Sequence, residues 1–449
     1  LSLLSLSPAV PTPHNTSTRP LSLGVIFLTL YIDLIGFSII FPLVPDILSH
    51  YLSIEGHSGI LGSLVGGSES VAGWLGKDRN FAAVLLGGVL SSIYALIQFL
   101  SAPYWGATSD RRGRRPVLLL TVAGTTASYL IWALSGSFWL FVLARLFGGL
   151  FGGNISVATA AVADVTDRKE RAKAMGLVGA AFGLGLVTGP GIGAATAQWN
   201  LLDAHPGLAS WGINPFSVPA LFALGLSIIN LGWITAKFKE SLPLDRRNTA
   251  NPARIRHPLR AARELPSPLV RRVNLIGFTF ALAFCAMEFS LTFLGADRFG
   301  FTAKQNGIML AYLGVCSIIT QGMIVRRMLK TQSETSVLSK GLISATIGFA
   351  IVGIAPNVTV LAIGLGLLAV GAGLVNPSTS GLISLYSADH EQGRVLGIFR
   401  SLGSLARAIT PVAAGLVFWT LGSGAVFAAG AMLSLGAWQF ARSLPAPEK

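Results

Sequence analysis

The sequence predicts an all-α membrane protein, with twelve transmembrane helices arranged as two six-helix bundles. Three observations carry that reading. About twelve apolar blocks of roughly 20 residues follow one another through the 449 residues, each long enough to cross a hydrocarbon core of ~30 Å. Lysine and arginine alternate with the blocks: with the N-terminus placed in the cytosol, 27 fall on that side and four (Lys77, Arg79, Arg298, Lys304) on the other. That split is the positive-inside pattern, and it puts both termini in the cytosol. Landmarks also repeat. Gly176 and Pro190 lie 14 residues apart, as do Gly397 and Pro411, while Asn154-x-Ser156 recurs as Asn376-x-Ser378. The two offsets, 221 and 222 residues, nearly agree, as a duplicated unit requires.

Composition excludes several classes. With 52% hydrophobic and 12% charged residues the chain is not a string of soluble domains. The net charge of +14 invites nucleic acid, yet the basic residues sit between spans, so topology accounts for them without a nucleic-acid partner. Cys285 and Cys316 fall inside apolar blocks as small packing residues, with no disulfide framework. No H-E-x-x-H or G-x-S-x-G occurs, and the G-x-G pairs lie inside spans, so neither an enzyme nor a cofactor or metal is expected.

Taken in order, residues 1–20 are rich in proline, serine and threonine and read as disordered. The first residue, Leu1, leaves open whether others precede it. The first block, near 21–45, holds Asp33 and ends at Pro42 and Pro45. A carboxylate inside the membrane is costly enough to suggest function. The connection from Asp46 to Asn80 lies on the outer side and carries Glu55, Glu69 and an apolar VAGWLG, read either as a vestibule cap or as a floppy insertion.

Between the second block (81–104) and the third (116–135) stands GATSDRRGRRPVLLL, with Gly106, Asp110, Arg111, Arg112, Gly113, Arg114 and Arg115. Such a charge cluster must lie in water at one membrane face. Asp110 falls where the apolar run ends, so its carboxylate can meet an arginine or a helix N-terminus of a neighbouring segment and latch that face. The alternative is a loop that only fixes topology. The fourth block (138–162) contains Arg145 among apolar residues and glycines, and the loop DVTDRKERAKAMG follows. In the fifth (174–197), Gly185, Gly189, Pro190, Gly191 and Gly193 make a thin, bendable helix or a tight packing face.

After the sixth block (214–236), residues 237–273 hold ten basic side chains and no apolar period. They read as a cytosolic tether, with ARIRHPLRAAREL able to form a basic helix on the membrane surface. The second bundle, 274–441, has blocks near 274–295, 306–325, 337–355, 358–386, 395–419 and 423–441, and a tail at 442–449. Glu288 lies in its first block and Arg407 in its fifth. Together with Asp33 and Arg145 they make two acids and two bases inside spans, which invites internal pairing. Binding belongs near the midplane between the bundles.

Four stretches resemble a known family. G-x-x-x-D-R-x-G-R-R, from Gly106 to Arg115, resembles the loop 2-3 signature of the major facilitator superfamily, with Thr108 in place of its usual leucine. D-L-I-G-F-S-I-I-F-P-L-V-P, from Asp33, looks like the helix 1 signature of twelve-helix drug:proton antiporters. Arg145-x-x-x-Gly149 looks like their helix 4 motif, and Gly185-x-x-x-Gly189-Pro190-x-x-Gly193 like their antiporter motif, with Ala194 replacing its last glycine. The likeness covers nearly the whole chain. It is strongest to the tetracycline-efflux branch and, within it, to the eukaryotic tetracycline transporter-like proteins.

The resemblance implies the major facilitator fold, alternating access and export of organic compounds in exchange for protons, with Asp33 and Arg145 in the proton-linked roles. Glu288 and Arg407 are a candidate second pair. Loop 8-9, IVRRMLKTQ, keeps charge but lacks the Asp and Gly, so a one-sided latch is expected. The substrate class is amphipathic organic compounds, tetracycline-like drugs or organic anions; the alternative is a uniporter or symporter for a polar metabolite. A monomer in the lipid bilayer of the plasma membrane, or of an endomembrane, completes the expectation.

Overall fold

The computed structural model describes residues 22–56, 61–63, 65–67, 82–166, 168–244, 247, 267–387 and 392–446. Among these residues, eleven helical stretches are long and apolar enough to cross a membrane. The 31-residue helix Ala82–Arg112 makes a twelfth of spanning length. In chain order, α1 runs as Leu23–Ser38, a tight 3-10 turn Phe41–Leu43 and Val44–Glu55. Then come α2 (Ala82–Arg112), α3 (Arg114–Ala133), α4 (Phe138–Phe151, resumed after Gly152 and Gly153 as Asn154–Val165), α5 (Arg168–Thr196) and α6 (Ser217–Lys237). The second bundle comprises α7 (Pro268–Phe299) and α8 (Ala303–Ile319, a π-helical turn Thr320–Ile324, then Val325–Thr331). It is completed by α9 (Glu334–Ile354), α10 (Val358–Tyr386), α11 (Gln392–Leu421) and α12 (Ser423–Arg442).

Local chemistry sets the ends. Ser267 caps α7 with Pro268 in its first turn, so that helix begins six residues before the expected position 274. Thr302 and Gln305 form a reciprocal capping box on α8. Pro42 and Pro45 do not end the first span. Each falls in the first turn of a new helical segment, where a missing N–H costs nothing, so α1 bends and continues to Glu55. Residues 46–55 thus belong to α1 and not to the outer connection. The rest of that connection, including Glu69 and VAGWLG, lies outside the described residues, as does the ARIRHPLRAAREL stretch.

Within the first bundle α1 packs closely on α5, and a Cβ on Gly189 or Gly193 would run into Ser38 and the backbone of Ile35 or Ile39. Ser38 Oγ donates to the Gly185 carbonyl at 2.9 Å, stitching the two backbones together. Between bundles the main contacts are α2 on α11 and α5 on α8. The repeated prolines mark both. The Pro411 carbonyl of α11 would meet a Cβ on Gly88 of α2 at 2.6 Å, and the Pro190 carbonyl of α5 one on Gly307 of α8 at 3.3 Å. The Val412 amide donates to Ser92 Oγ at 3.1 Å across the first interface. Large apolar residues such as Ile228, Ile229, Ile363 and Met432 remain exposed, as a lipid-facing surface requires.

Candidate functional site

A cavity of about 110 Å³ lies between the bundles, walled by α1, α2, α4, α7 and α11. Phe37, Phe41, Phe289 and Phe293 supply much of its apolar wall; Arg145, Glu288 and Arg407 face it as well. Three of the four ionisable residues that the sequence singles out inside spans therefore meet at one space.

They are not paired as expected. Arg145 lies over the Tyr94 ring, its guanidinium carbon 4.1 Å from the centroid, and Tyr94 is stacked in turn on Phe37 at 5.5 Å. Asp33 is not among the residues lining the cavity, and it accepts a 2.6 Å hydrogen bond from Asn154 Nδ2. The Asn154 Oδ1 accepts the Ile155 amide at 2.8 Å, which turns the Asn154 NH2 toward Asp33. Among the described residues, Glu288 makes no hydrogen bond or ion pair, and Arg407 bonds only to Ser404 Oγ at 3.2 Å. Arg407 nonetheless lies within electrostatic range of Glu288. In the first bundle direct ion pairing is thus replaced by neutral partners, because an aromatic face and an amide each engage a charge without a second buried ion to desolvate.

The loop 2-3 motif forms a network at the basic end of the first bundle. Gly113 ends α2 at φ +100, and a Cβ there would strike Glu240 Oε2. Arg114 is only 7% exposed and bridges two carboxylates, Asp110 Oδ1 at 2.6 Å and Asp164 Oδ2 at 2.9 Å. It also donates to Ser109 Oγ at 2.6 Å. Glu240, just past α6, caps α3 by accepting the amides of Arg114 at 2.8 Å and Arg115 at 3.2 Å. Arg115 donates to the Thr235 carbonyl, and Arg247 pairs with Glu240 at 3.4 Å. Arg111 and Arg112 are exposed, and nothing crowds Gly106. Among the described residues, every contact of Asp110 and Arg114 lies within the first bundle or at Glu240 just past its last helix.

Asn154, Tyr94, Asp164, Glu240 and Arg247 were not singled out for these roles by sequence reasoning. Asn154 had a signal, being a polar residue at the repeated N-x-S. Asp164 and Glu240 looked like ordinary loop charges. In the antiporter motif, Gly185, Gly189 and Gly193 face α1, while the Pro190 carbonyl faces α8.

A twelve-span helical protein with a mixed apolar and ionisable cavity between two bundles is a multi-pass membrane transporter. A sequence model of the Major Facilitator Superfamily matches residues 26–411, and the chain belongs to that superfamily. It is 33% identical to human major facilitator superfamily domain-containing protein 10 over 441 residues, covering 93% of this chain and 91% of the relative. To the class B tetracycline resistance protein of Escherichia coli it is 27% identical over 404 residues, with 90% and 89% covered. The crystal structure of the human organic anion transporter MFSD10 (TETRAN) superposes with a TM-score of 0.76 at 32% identity, covering 93% and 98%. An inward-facing bacterial homologue of the human lysosomal transporter Spinster, 14% identical with a TM-score of 0.67 and 94% and 96% covered, shares the fold. These relatives are transporters and not enzymes.

Proposed function

We propose that this protein exports amphipathic organic compounds, organic anions or tetracycline-like drugs, in exchange for protons by alternating access. The observation that carries the reading is an apolar cavity between the bundles that Arg145, Glu288 and Arg407 all line. An aromatic and aliphatic wall suits a bulky apolar body, and buried ionisable groups in a membrane protein mark ion or substrate pathways. At about 110 Å³ the cavity holds a few water molecules, so loading an organic molecule requires the bundles to part. The likeness to proteins described as an organic anion transporter and as tetracycline resistance proteins supports the same substrate range.

Asp33 is the proposed proton carrier, held by Asn154, while Arg145 and Tyr94 line the cavity. Glu288 is the alternative carrier. Asp110, Arg111, Gly113, Arg114 and Arg115 form the proposed cytosolic gate, and Gly185, Gly189, Pro190 and Gly193 the flexible contact between α1, α5 and α8. Both termini lie in the cytosol, and the monomeric protein works in the plasma membrane. One proton crossing ~100 mV and one pH unit supplies about 3.7 kcal/mol, enough for a roughly 400-fold substrate gradient. The test is substrate-dependent proton flux in reconstituted vesicles with an imposed pH gradient. Substrate movement with no proton movement would leave the uniporter reading.

A further inference from the structure

The two arginines at the cavity are held differently, and the difference assigns them different tasks. The Arg145 guanidinium carbon lies over the Tyr94 ring at 4.1 Å, and that ring also stacks with Phe37. That contact covers one face of the guanidinium and leaves its N–H donors untouched. Arg407 has no aromatic cover recorded and no carboxylate within ion-pair distance among the described residues; a serine one turn earlier on its own helix is its one hydrogen-bond partner. A guanidinium has five N–H donors in a planar fork that matches a carboxylate, so Arg407 retains most of its donor capacity toward the cavity. Glu288 faces the same space from α7, within electrostatic range but not bonded to Arg407.

We infer that Arg407 is the anion seat of the cavity, that it takes the carboxylate of an amphipathic aromatic monoanion, and that the Glu288 carboxylate competes for the same guanidinium. The apolar body of the ligand lies against Phe289 and Phe293, which come from the same helix as Glu288. Pro411, one turn beyond Arg407, is in contact with α2 of the other bundle. The seat therefore sits on a helix that any relative motion of the bundles must move. This inference rests on the cavity being the substrate site, and it does not depend on proton coupling.

The test is equilibrium binding of pyrenebutyrate and its uncharged primary amide to the full chain in lipid nanodiscs, with partition into empty nanodiscs subtracted. The two probes share one aromatic body and differ in charge. Wild type should prefer the anion by about tenfold, the yield of one charge-assisted hydrogen bond. Arg407→Gln should abolish that preference while the amide still binds, and Glu288→Gln should tighten the anion more than the amide. Equal binding of both probes to wild type, a preference that survives Arg407→Gln, or a Glu288→Gln variant that does not tighten the anion would overturn the assignment. If Arg407→Gln binds neither probe, Arg407→Lys decides: retained preference supports the seat, and amide binding without preference removes it. Proton flux is measured separately in vesicles. Lost flux with intact anion preference refutes the coupling and spares the seat, whereas intact flux with no preference does the reverse.

Discussion

Of the four ionisable residues that the sequence singles out inside the spans, each bundle holds one acid and one arginine, and the two bundles treat them differently. In the first, both charges are engaged by uncharged neighbours: Asp33 by the Asn154 amide, Arg145 by the Tyr94 ring. In the second, Glu288 and Arg407 face the cavity with almost nothing bonded to them. The repeat makes the contrast sharper. Asn154 and Asn376 are equivalent by the 222-residue offset, yet Asn154 is buried against Asp33 while Asn376 is exposed. A charge with fixed neutral partners suits a process that changes only its protonation, and an unpartnered charge suits a site that receives a ligand. The asymmetry supports the proposed division of labour between proton and substrate.

The largest expected effect breaks the comparison on its first side. Asp33→Asn should reduce proton-driven export by at least about a hundredfold, a barrier change of ~2.7 kcal/mol, while substrate counterflow persists. Export and counterflow in the same vesicles make the measurement. If export keeps its full pH dependence, Asp33 is not the proton site and Glu288 takes its place.

Asp110→Asn comes next. Its carboxylate is 44% exposed while its partner Arg114 is 7% exposed and retains Asp164, so folding should change by no more than ~1 kcal/mol. Transport should nonetheless fall at least about tenfold, because the carboxylate proposed to close the cytosolic gate is gone. Thermal unfolding and uptake assays on one preparation separate the two. Unaltered turnover would leave the motif a purely topological role.

Much of this was legible in the sequence, for identifiable reasons. Span length and charge alternation are imposed by the bilayer, so α1 to α12 could be read off directly. The repeat landmarks pointed to a duplicated unit but not to contacts; that Pro190 and Pro411 both present carbonyls to a glycine of the other bundle emerges only from the structure. The continuation of α1 through Pro42 and Pro45 was not legible, because proline in the first turn of a helix looks the same in sequence as proline after its end. Nor was the partner of Asp33. An acid and an arginine in neighbouring spans suggest a pair, but which side chain reaches the carboxylate depends on the break at Gly152 and Gly153 that brings Asn154 into line. Glu240 is 126 residues from the amide it caps, a distance that no local pattern announces.

Asn154→Leu sharpens the comparison instead of breaking it. The substitution removes one hydrogen bond to a charged acceptor, worth ~1.5–3 kcal/mol, so export should fall about tenfold and not vanish. The pH profile of export should change shape, which a merely structural lesion would not produce. Asn154→Gln, which keeps the amide on a longer arm, should recover part of the loss. An Asn154→Leu protein with wild-type export and profile would show that the contact with Asp33 is incidental.

The smallest effect concerns the ring that covers Arg145. The guanidinium carbon stands 4.1 Å from the Tyr94 centroid, and the Phe37 ring stacks on Tyr94 at 5.5 Å, so Tyr94 of α2 touches both α1 and α4. A cation over an aromatic face gains ~0.5–2 kcal/mol, depending on how fully water is excluded. The phenol oxygen contributes no part of that attraction, which arises from the π-face. Tyr94→Phe should therefore transport within about twofold of wild type, whereas Tyr94→Leu, which keeps apolar bulk and loses the face, should cost roughly a few-fold in export rate. The same vesicle assay checks both. Equal rates in the Phe and Leu variants would mean that the ring only fills space, and that Arg145 is as free to meet a ligand as Arg407, erasing the distinction between the two bundles at its weakest point.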